Sequence, residues 1–255
     1  MDTYFACPGK YAGEVGRRAA IMSYEASGRR VYRTEPPAGT GSLMVVSCEK
    51  EYSGTKETFA RDILGECRLR RFRGVFLDRE EEPGVLLREC VRLLAELLQK
   101  NRMALFLSPA LWFGGYGTVV CSASPLSGTL HAELMKAKAQ YGTPAGELRV
   151  LREEITLPVT EHSLHTLTKE ELDKRITGTG SPSFFCEELC TRYFSYSRSG
   201  VHRFVLYDTA ETLSAREKVL EKEGVGTVFY YYPEVREFIS SRSSGSPSPP
   251  LSGEA

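Results

Sequence analysis

Short, wholly apolar runs alternate along the chain with longer stretches that are apolar on one side only. This is the pattern of parallel strands buried on both faces between helices buried on one. Leu43-Met44-Val45-Val46-Ser47 is the clearest run, and Gly74-Val75-Phe76-Leu77-Asp78, Met103 to Leu107, Thr118 to Ser122 and His202 to Asp208 are of the same kind. The spacing predicts a helix over Lys56 to Leu69, with Phe59, Ile63 and Cys67 four apart. It predicts another over Pro83 to Asn101, proline in the first turn, with Val85, Leu86, Cys90, Leu93, Leu94, Leu97 and Leu98 on one side. Further helices are expected over Ala12 to Ala26, Leu130 to Tyr141, a short stretch after the capping box Thr168-Lys169-Glu170-Glu171, Cys186 to Tyr196, and Ala210 to Glu223 behind Thr209. Tyr4 to Cys7, Val31 to Arg33, Leu148 to Leu151 and Gly226 to Tyr232 complete the strand candidates, and Arg152 to Thr166 reads as a long excursion.

Eight or nine strands alternating with helices in 255 residues point to the α/β class and to a (β/α)8 barrel of the TIM type. With nine candidates, at least one of Tyr4 to Cys7, Val31 to Arg33 and Thr118 to Ser122 must lie outside the barrel. A doubly wound open sheet is the alternative, but no GxGxxG opens the first helix. Residues 1–239 are expected to form one barrel domain. The stretch 240–255, SSRSSGSPSPPLSGEA, lacks the apolar residues to build a core and is expected to be disordered.

Composition narrows the function. The 33 basic and 33 acidic residues cancel, so no overall field draws nucleic acid or an anionic membrane. Seven cysteines, at 7, 48, 67, 90, 121, 186 and 190, form no CxxC pair, which suits reduced thiols and no metal site. The N-terminus, MDTYFACPGK, has no signal-peptide design, and no apolar run reaches a membrane-spanning length. Cytoplasmic or spore-associated placement is the expectation, and no cofactor is implied. None of the histidines, at 131, 162, 165 and 202, joins a recognisable nucleophile motif.

The chemistry concentrates at the exit of one strand. In Phe76-Leu77-Asp78-Arg79-Glu80 alternate residues share a side, so both carboxylates lie with Phe76 at the carboxyl end of a core strand, where barrels carry their active sites. The plain alternative is a charged strand exit leading into a helix whose N-terminus favours acids. Gly114-Gly115-Tyr116-Gly117 and Ser127-Gly128-Thr129 offer phosphate-cradle geometry at a helix start. The basic run Arg68, Arg70, Arg71 and Arg73 is explained by the dipole at a helix end.

Phe72-Arg73-Gly74-Val75-Phe76-Leu77-Asp78-Arg79-Glu80 resembles the fourth-strand motif of family-18 glycoside hydrolases, the chitinase-like barrels. That motif runs Asp-x-x-Asp-x-Asp-x-Glu, and its slots hold Arg73, Phe76, Asp78 and Glu80 here, so only the last two acids are kept. The nearest likeness is to the peptidoglycan-acting branch associated with bacterial spores. Phe204-Val205-Leu206-Tyr207-Asp208 is similar to a late strand of the family ending in Tyr-Asp. Gly224 to Tyr230 is similar to its final strand, with Tyr230, Tyr231 and Tyr232 where chitinases place a tryptophan under the sugar.

The resemblance implies retaining hydrolysis of an N-acetylhexosamine polymer, peptidoglycan or chitin, assisted by the substrate's own acetamido group, so that no protein nucleophile is needed. Glu80 would protonate the glycosidic oxygen, Asp78 would orient the acetamido group and stabilise its developing charge, and Tyr207 would bond its carbonyl. Asp208, Trp112, Tyr116, Tyr230 and Tyr232 are the substrate-binding candidates. Phe76 stands where the family has an acid. A phenyl ring beside Asp78 is expected to desolvate its carboxyl and raise its pKa, which favours the other implied outcome, an inactive barrel that binds glycan or a protein partner.

Overall fold

The computed structural model describes residues 1–35, 41–160 and 162–243. In chain order come β1 (Asp2–Cys7), the single turn α1 (Ala12–Val15), β2 (Ala19–Ser27), β3 (Arg30–Arg33), β4 (Leu43–Ser47), α2 (Lys56–Arg70), β5 (Gly74–Asp78) and α3 (Val85–Lys100). Next are β6 (Ala104–Leu107), β7 (Thr118–Ser122), α4 (Leu130–Tyr141) and β8 (Ala145–Leu148). An excursion then contributes β9 (Arg152–Leu157), β10 (Leu164–Thr166), α5 (Lys169–Thr179), β11 (Phe184–Cys186), β12 (Thr191–Arg198) and β13 (Val201–Tyr207). Finally α6 (Ala210–Lys222), β14 (Thr227–Tyr231) and α7 (Tyr232–Ser243) follow.

Strands β1, β2, β4, β5, β6, β7, β8 and β14 pair in parallel, each with the next, and β14 returns to β1. The ring is closed, a (β/α)8 barrel as the alternation predicts. Val31 to Arg33 is the strand outside it, pairing antiparallel with the second half of β2. Asp2–Cys7 and Thr118–Ser122 are both barrel strands.

Four expectations are corrected. Ala12 to Ala26 is helical only at Ala12–Val15 before the chain turns into β2. Ala19, Ala20, Ile21, Tyr24 and Ala26 are buried where β2 closes the barrel between β1 and β4, so small residues of high helix propensity are held extended by tertiary packing. Cys186 to Tyr196 is not a helix. Its apolar spacing of four imitates one, but Thr191, Tyr193, Phe194 and Tyr196 favour an extended chain and form β12. His202 to Asp208 does contain a strand, but β13 lies antiparallel between β9 and β12, outside the barrel. An apolar run does not reveal which sheet it joins. The predicted strand Leu148 to Leu151 begins three residues earlier, at Ala145.

Inside the barrel Tyr4, Phe76, Phe106 and Phe229 pack with Ala20, Leu43, Val45, Val120 and Ala145. Gly74 opens β5 because a Cβ there would lie 2.7 Å from the Ala104 carbonyl oxygen and 2.8 Å from Leu43 Cδ2. Outside the barrel, α2 and α3 cover one flank through Phe59, Ile63, Leu94 and Leu98. Another flank is covered by α4, α6 and α7 through Leu130, Leu134, Leu213, Leu220 and Val235. Between β6 and β7 there is a single 3-10 turn, Pro109–Leu111, and no α-helix. The loop between them spreads Trp112 edge-on to Tyr141 at 5.2 Å and sets Phe113 under the Arg88 guanidinium at 5.1 Å.

The excursion after β8 is a five-stranded antiparallel sheet, in the order β10-β9-β13-β12-β11. It shares a small core with α5, made of Leu167, Leu172, Phe194, Val205 and Tyr207. Among the described residues no helix is long and apolar enough to cross a membrane, and no three His, Cys, Asp or Glu side chains gather as metal ligands. Residues 36–40 of the predicted loop and 244–255 of the predicted tail lie outside the described residues; 240–243 belong to α7.

Candidate active site

Counted along the chain, β5 is the fourth barrel strand. Its alternation sends Val75 and Leu77 towards the helices and Phe76 and Asp78 towards the barrel axis. The Phe76 ring lies 5.3 Å from Phe229, which in turn lies 5.0 Å from Phe106 and 5.5 Å from Tyr4. These rings make an aromatic floor. Above it, at the carboxyl ends of the strands, opens a cavity of about 570 Å³ whose lining includes Phe76, Asp78, Glu80, Ser122, Glu147 and Tyr231.

The turn that carries Glu80 is fixed by its backbone. The Arg79 guanidinium donates to the carbonyls of Cys48 and Glu49 and, at 2.8 Å, of Glu81. Ser108 Oγ accepts from the Arg79 amide at 2.9 Å and donates to its carbonyl at 2.7 Å. The Glu80 amide donates to Glu49 Oε1 at 2.7 Å. Loops after β4 and β6 therefore hold the turn while the Glu80 side chain stands exposed at the rim.

Two half-buried acids face this mouth from different strands. Burial is the main force raising the Asp78 carboxyl above its ordinary range, the charges of Glu49 and Glu80 add to it, and the Arg79 backbone N–H opposes it. This is the direction expected of an aspartate above Phe76. Glu147, on β8, is raised chiefly by burial; Arg149 pulls it down, while Asp78 and Glu234 push it up. Arg149 itself pairs with Glu234 at 3.4 Å.

The other sequence candidates lie elsewhere. Tyr207 ends β13, packs in the core of the excursion and shares a 2.6 Å hydrogen bond with Ser183. Asp208 is buried beside it, paired with the fully buried Arg216 at 2.8 Å and accepting from the Leu151 amide at 2.8 Å and from Thr212 and Thr191 hydroxyls at 2.8 and 3.2 Å. It ties the excursion to α6. Trp112 packs on Tyr141, and Tyr116 sits before β7 at the opposite end of the strand from the mouth, beside Leu98 and Met103. Tyr230 faces outwards, stacked on Phe5 at 5.8 Å with its hydroxyl 2.6 Å from Glu217. Tyr232 starts α7 and bonds Glu14 at 2.9 Å. Tyr231 between them lines the mouth.

Sequence reasoning named Tyr231 within the run Tyr230 to Tyr232 but chose its two neighbours as binding candidates, and it missed Glu147. The period of two identifies the first, since Phe229 faces inwards and Tyr231 must follow it. Glu147 was hidden by the misplaced start of its strand.

No protein-family model matches the chain, and no curated protein matches it in sequence. Solved structures do. A chitinase from Chromobacterium violaceum matches at TM-score 0.66 with 11% identity, over 93% of this chain and 98% of its own. A family-18 chitinase from Cycas revoluta in complex with (GlcNAc)3 matches at 0.63 and 12%, over 94% and 97%. The spore cortex-lytic enzyme SleL of Bacillus cereus matches at 0.65 and 13%, over 94% of this chain and 74% of its own. The fold is that of the chitinase-like, family-18 glycoside hydrolase barrels.

Proposed function

We propose that the barrel mouth binds an N-acetylhexosamine glycan, of peptidoglycan or chitin type, and cleaves it by substrate-assisted retaining hydrolysis. The observation that carries this reading is the delivery of Asp78 and Glu80 by the fourth barrel strand to one open cavity above an aromatic floor. Glu80, exposed at the rim, is the general acid that protonates the leaving oxygen. Asp78, deeper, orients the acetamido group and balances the positive charge that forms as its carbonyl oxygen attacks the sugar. Tyr231 takes the sugar-facing position that Tyr230 and Tyr232 were expected to share, because it alone of the three lines the mouth. The solved relatives include a spore cortex-lytic enzyme, which favours peptidoglycan as the polymer.

A second reading, glycan binding without turnover, is favoured by Phe76 beneath Asp78. Burial raises the Asp78 carboxyl above its ordinary range, against the anion that the reaction needs. The two readings separate with chitin oligomers and their deacetylated counterparts, followed by proton NMR of the products. Substrate assistance gives cleavage of the acetylated oligomer alone, with the β-anomer appearing first. Affinity without any product fits the binding reading, and cleavage of the deacetylated oligomer contradicts the mechanism.

A further inference from the structure

The mouth holds a third acid that the fourth-strand motif does not supply. Glu147 reaches the cavity from β8, three strands round the barrel from β5, next to Ser122 of β7 in register. No hydrogen bond engages its carboxylate among the described residues, although it is half-buried; such a group normally finds a partner in the fold or is reserved for a ligand. The charged and titratable groups around it are Asp78, Arg79 and Glu80 from the end of β5, Arg149 just beyond β8, Glu234 on α7 and Tyr231 on β14. From β7 only the neutral Ser122 hydroxyl faces the same space. Arg149 is half-committed, being exposed and paired with Glu234.

We infer that Glu147 is the proton-holding acid of the mouth: it keeps its carboxyl proton while Asp78, across the cavity, is ionised, and it donates that proton in a hydrogen bond to an acceptor oxygen of a bound N-acetyl sugar. The argument rests on placement. Glu147 and Asp78 line one cavity above an apolar floor, and burial of Glu147 there, with the charge of Asp78 adding to it, favours the protonated form of the Glu147 carboxyl. Phe76 removed the acid that the family motif sets beneath Asp78, and Tyr207 lies away in the excursion, so the mouth lacks both of their polar groups. Glu147 restores a neutral donor from another strand. A neutral carboxyl can donate to an amide carbonyl or a sugar hydroxyl, whereas an ionised one accepts only.

The donor role rests on the glycan reading; the acid pair does not, and one set of measurements separates them. The side-chain carboxyl carbons of Asp and Glu are followed by 13C NMR against pH in the wild-type protein and in Asp78→Asn. Binding of a chitin tetramer is titrated calorimetrically across the same pH range in wild type, Glu147→Gln and Glu147→Ala. The expected result is that Glu147 titrates above the usual 4.5 and moves down in Asp78→Asn. Wild-type affinity should fall as Glu147 ionises, Glu147→Gln should bind without that limb, and Glu147→Ala should bind about tenfold more weakly. Titration of Glu147 at its ordinary value, or no response to Asp78→Asn, overturns the acid pair and with it the proposal. Sugar binding equally strong in Glu147→Ala and flat with pH overturns the donor role while the glycan reading stands. A raised, coupled Glu147 with no tetramer bound by the wild type overturns the donor role together with the glycan reading.

Discussion

Asp78 shows how an apolar neighbour on the inner side of a strand bears on a carboxyl. With Phe76 as its neighbour on the strand and Glu49 and Glu80 nearby, the native Asp78 carboxyl binds its proton more tightly than it does in the unfolded chain. The stability that this adds is fully present below the ordinary value of 3.8 and is lost as pH rises through the raised native value. Asp78→Asn is therefore expected to raise the melting temperature at pH 7 by about 2–4 °C and to leave it unchanged in acid, as thermal unfolding at several pH values will show. Removing Asp208 is expected to have the opposite effect on stability. It and Arg216 are both fully buried, so Asp208→Ala strands a cation in the core and is expected to cost about 3–5 kcal/mol in urea unfolding. Only the first of these two aspartates faces the mouth. Both end a strand in the sequence, and no local feature distinguishes them.

At the scale of elements, the parallel strands were legible because burial on both faces leaves continuous apolar runs, as in Leu43 to Ser47 and Gly74 to Asp78. What periodicity could not convey was membership. The apolar stretch of β13 looks like a barrel strand although it lies in the antiparallel excursion, and this carried Tyr207 and Asp208 into the expected site. The alanines of β2 imitated a helix because the closing seam of the barrel needs small side chains. On β14 the strand was recognised but its facing was not, and facing decides which tyrosine lines the mouth. Tyr231→Ala is expected to weaken oligosaccharide binding about tenfold with little change in stability. Tyr230→Phe should leave binding intact and cost about 1 kcal/mol through the lost bond to Glu217. Calorimetric binding beside urea unfolding of the two variants tests the assignment. Tyr207→Phe should likewise leave glycan binding unchanged, since its hydroxyl is engaged with Ser183.

For the whole molecule, the barrel supplies a fixed frame in which loops after β4, β5 and β6 clamp each other through Arg79, Ser108 and Glu49. This leaves Glu80 exposed on a constrained turn, beside a deeper Asp78 and opposite Glu147. Asp78 and Glu80 at the end of the fourth strand made the candidate site visible in the sequence. The third acid was not visible, because its relation to Asp78 exists only once the ring has closed. The direct measurement of the account is the count of new reducing ends released from a chitin tetramer and from muropeptides by the wild-type protein and by Glu80→Gln at equal concentration. Release by the wild type that falls about 10²–10⁴-fold in Glu80→Gln, with binding retained, is the expected result. Release that survives Glu80→Gln undiminished contradicts the placement of the chemistry at this strand end.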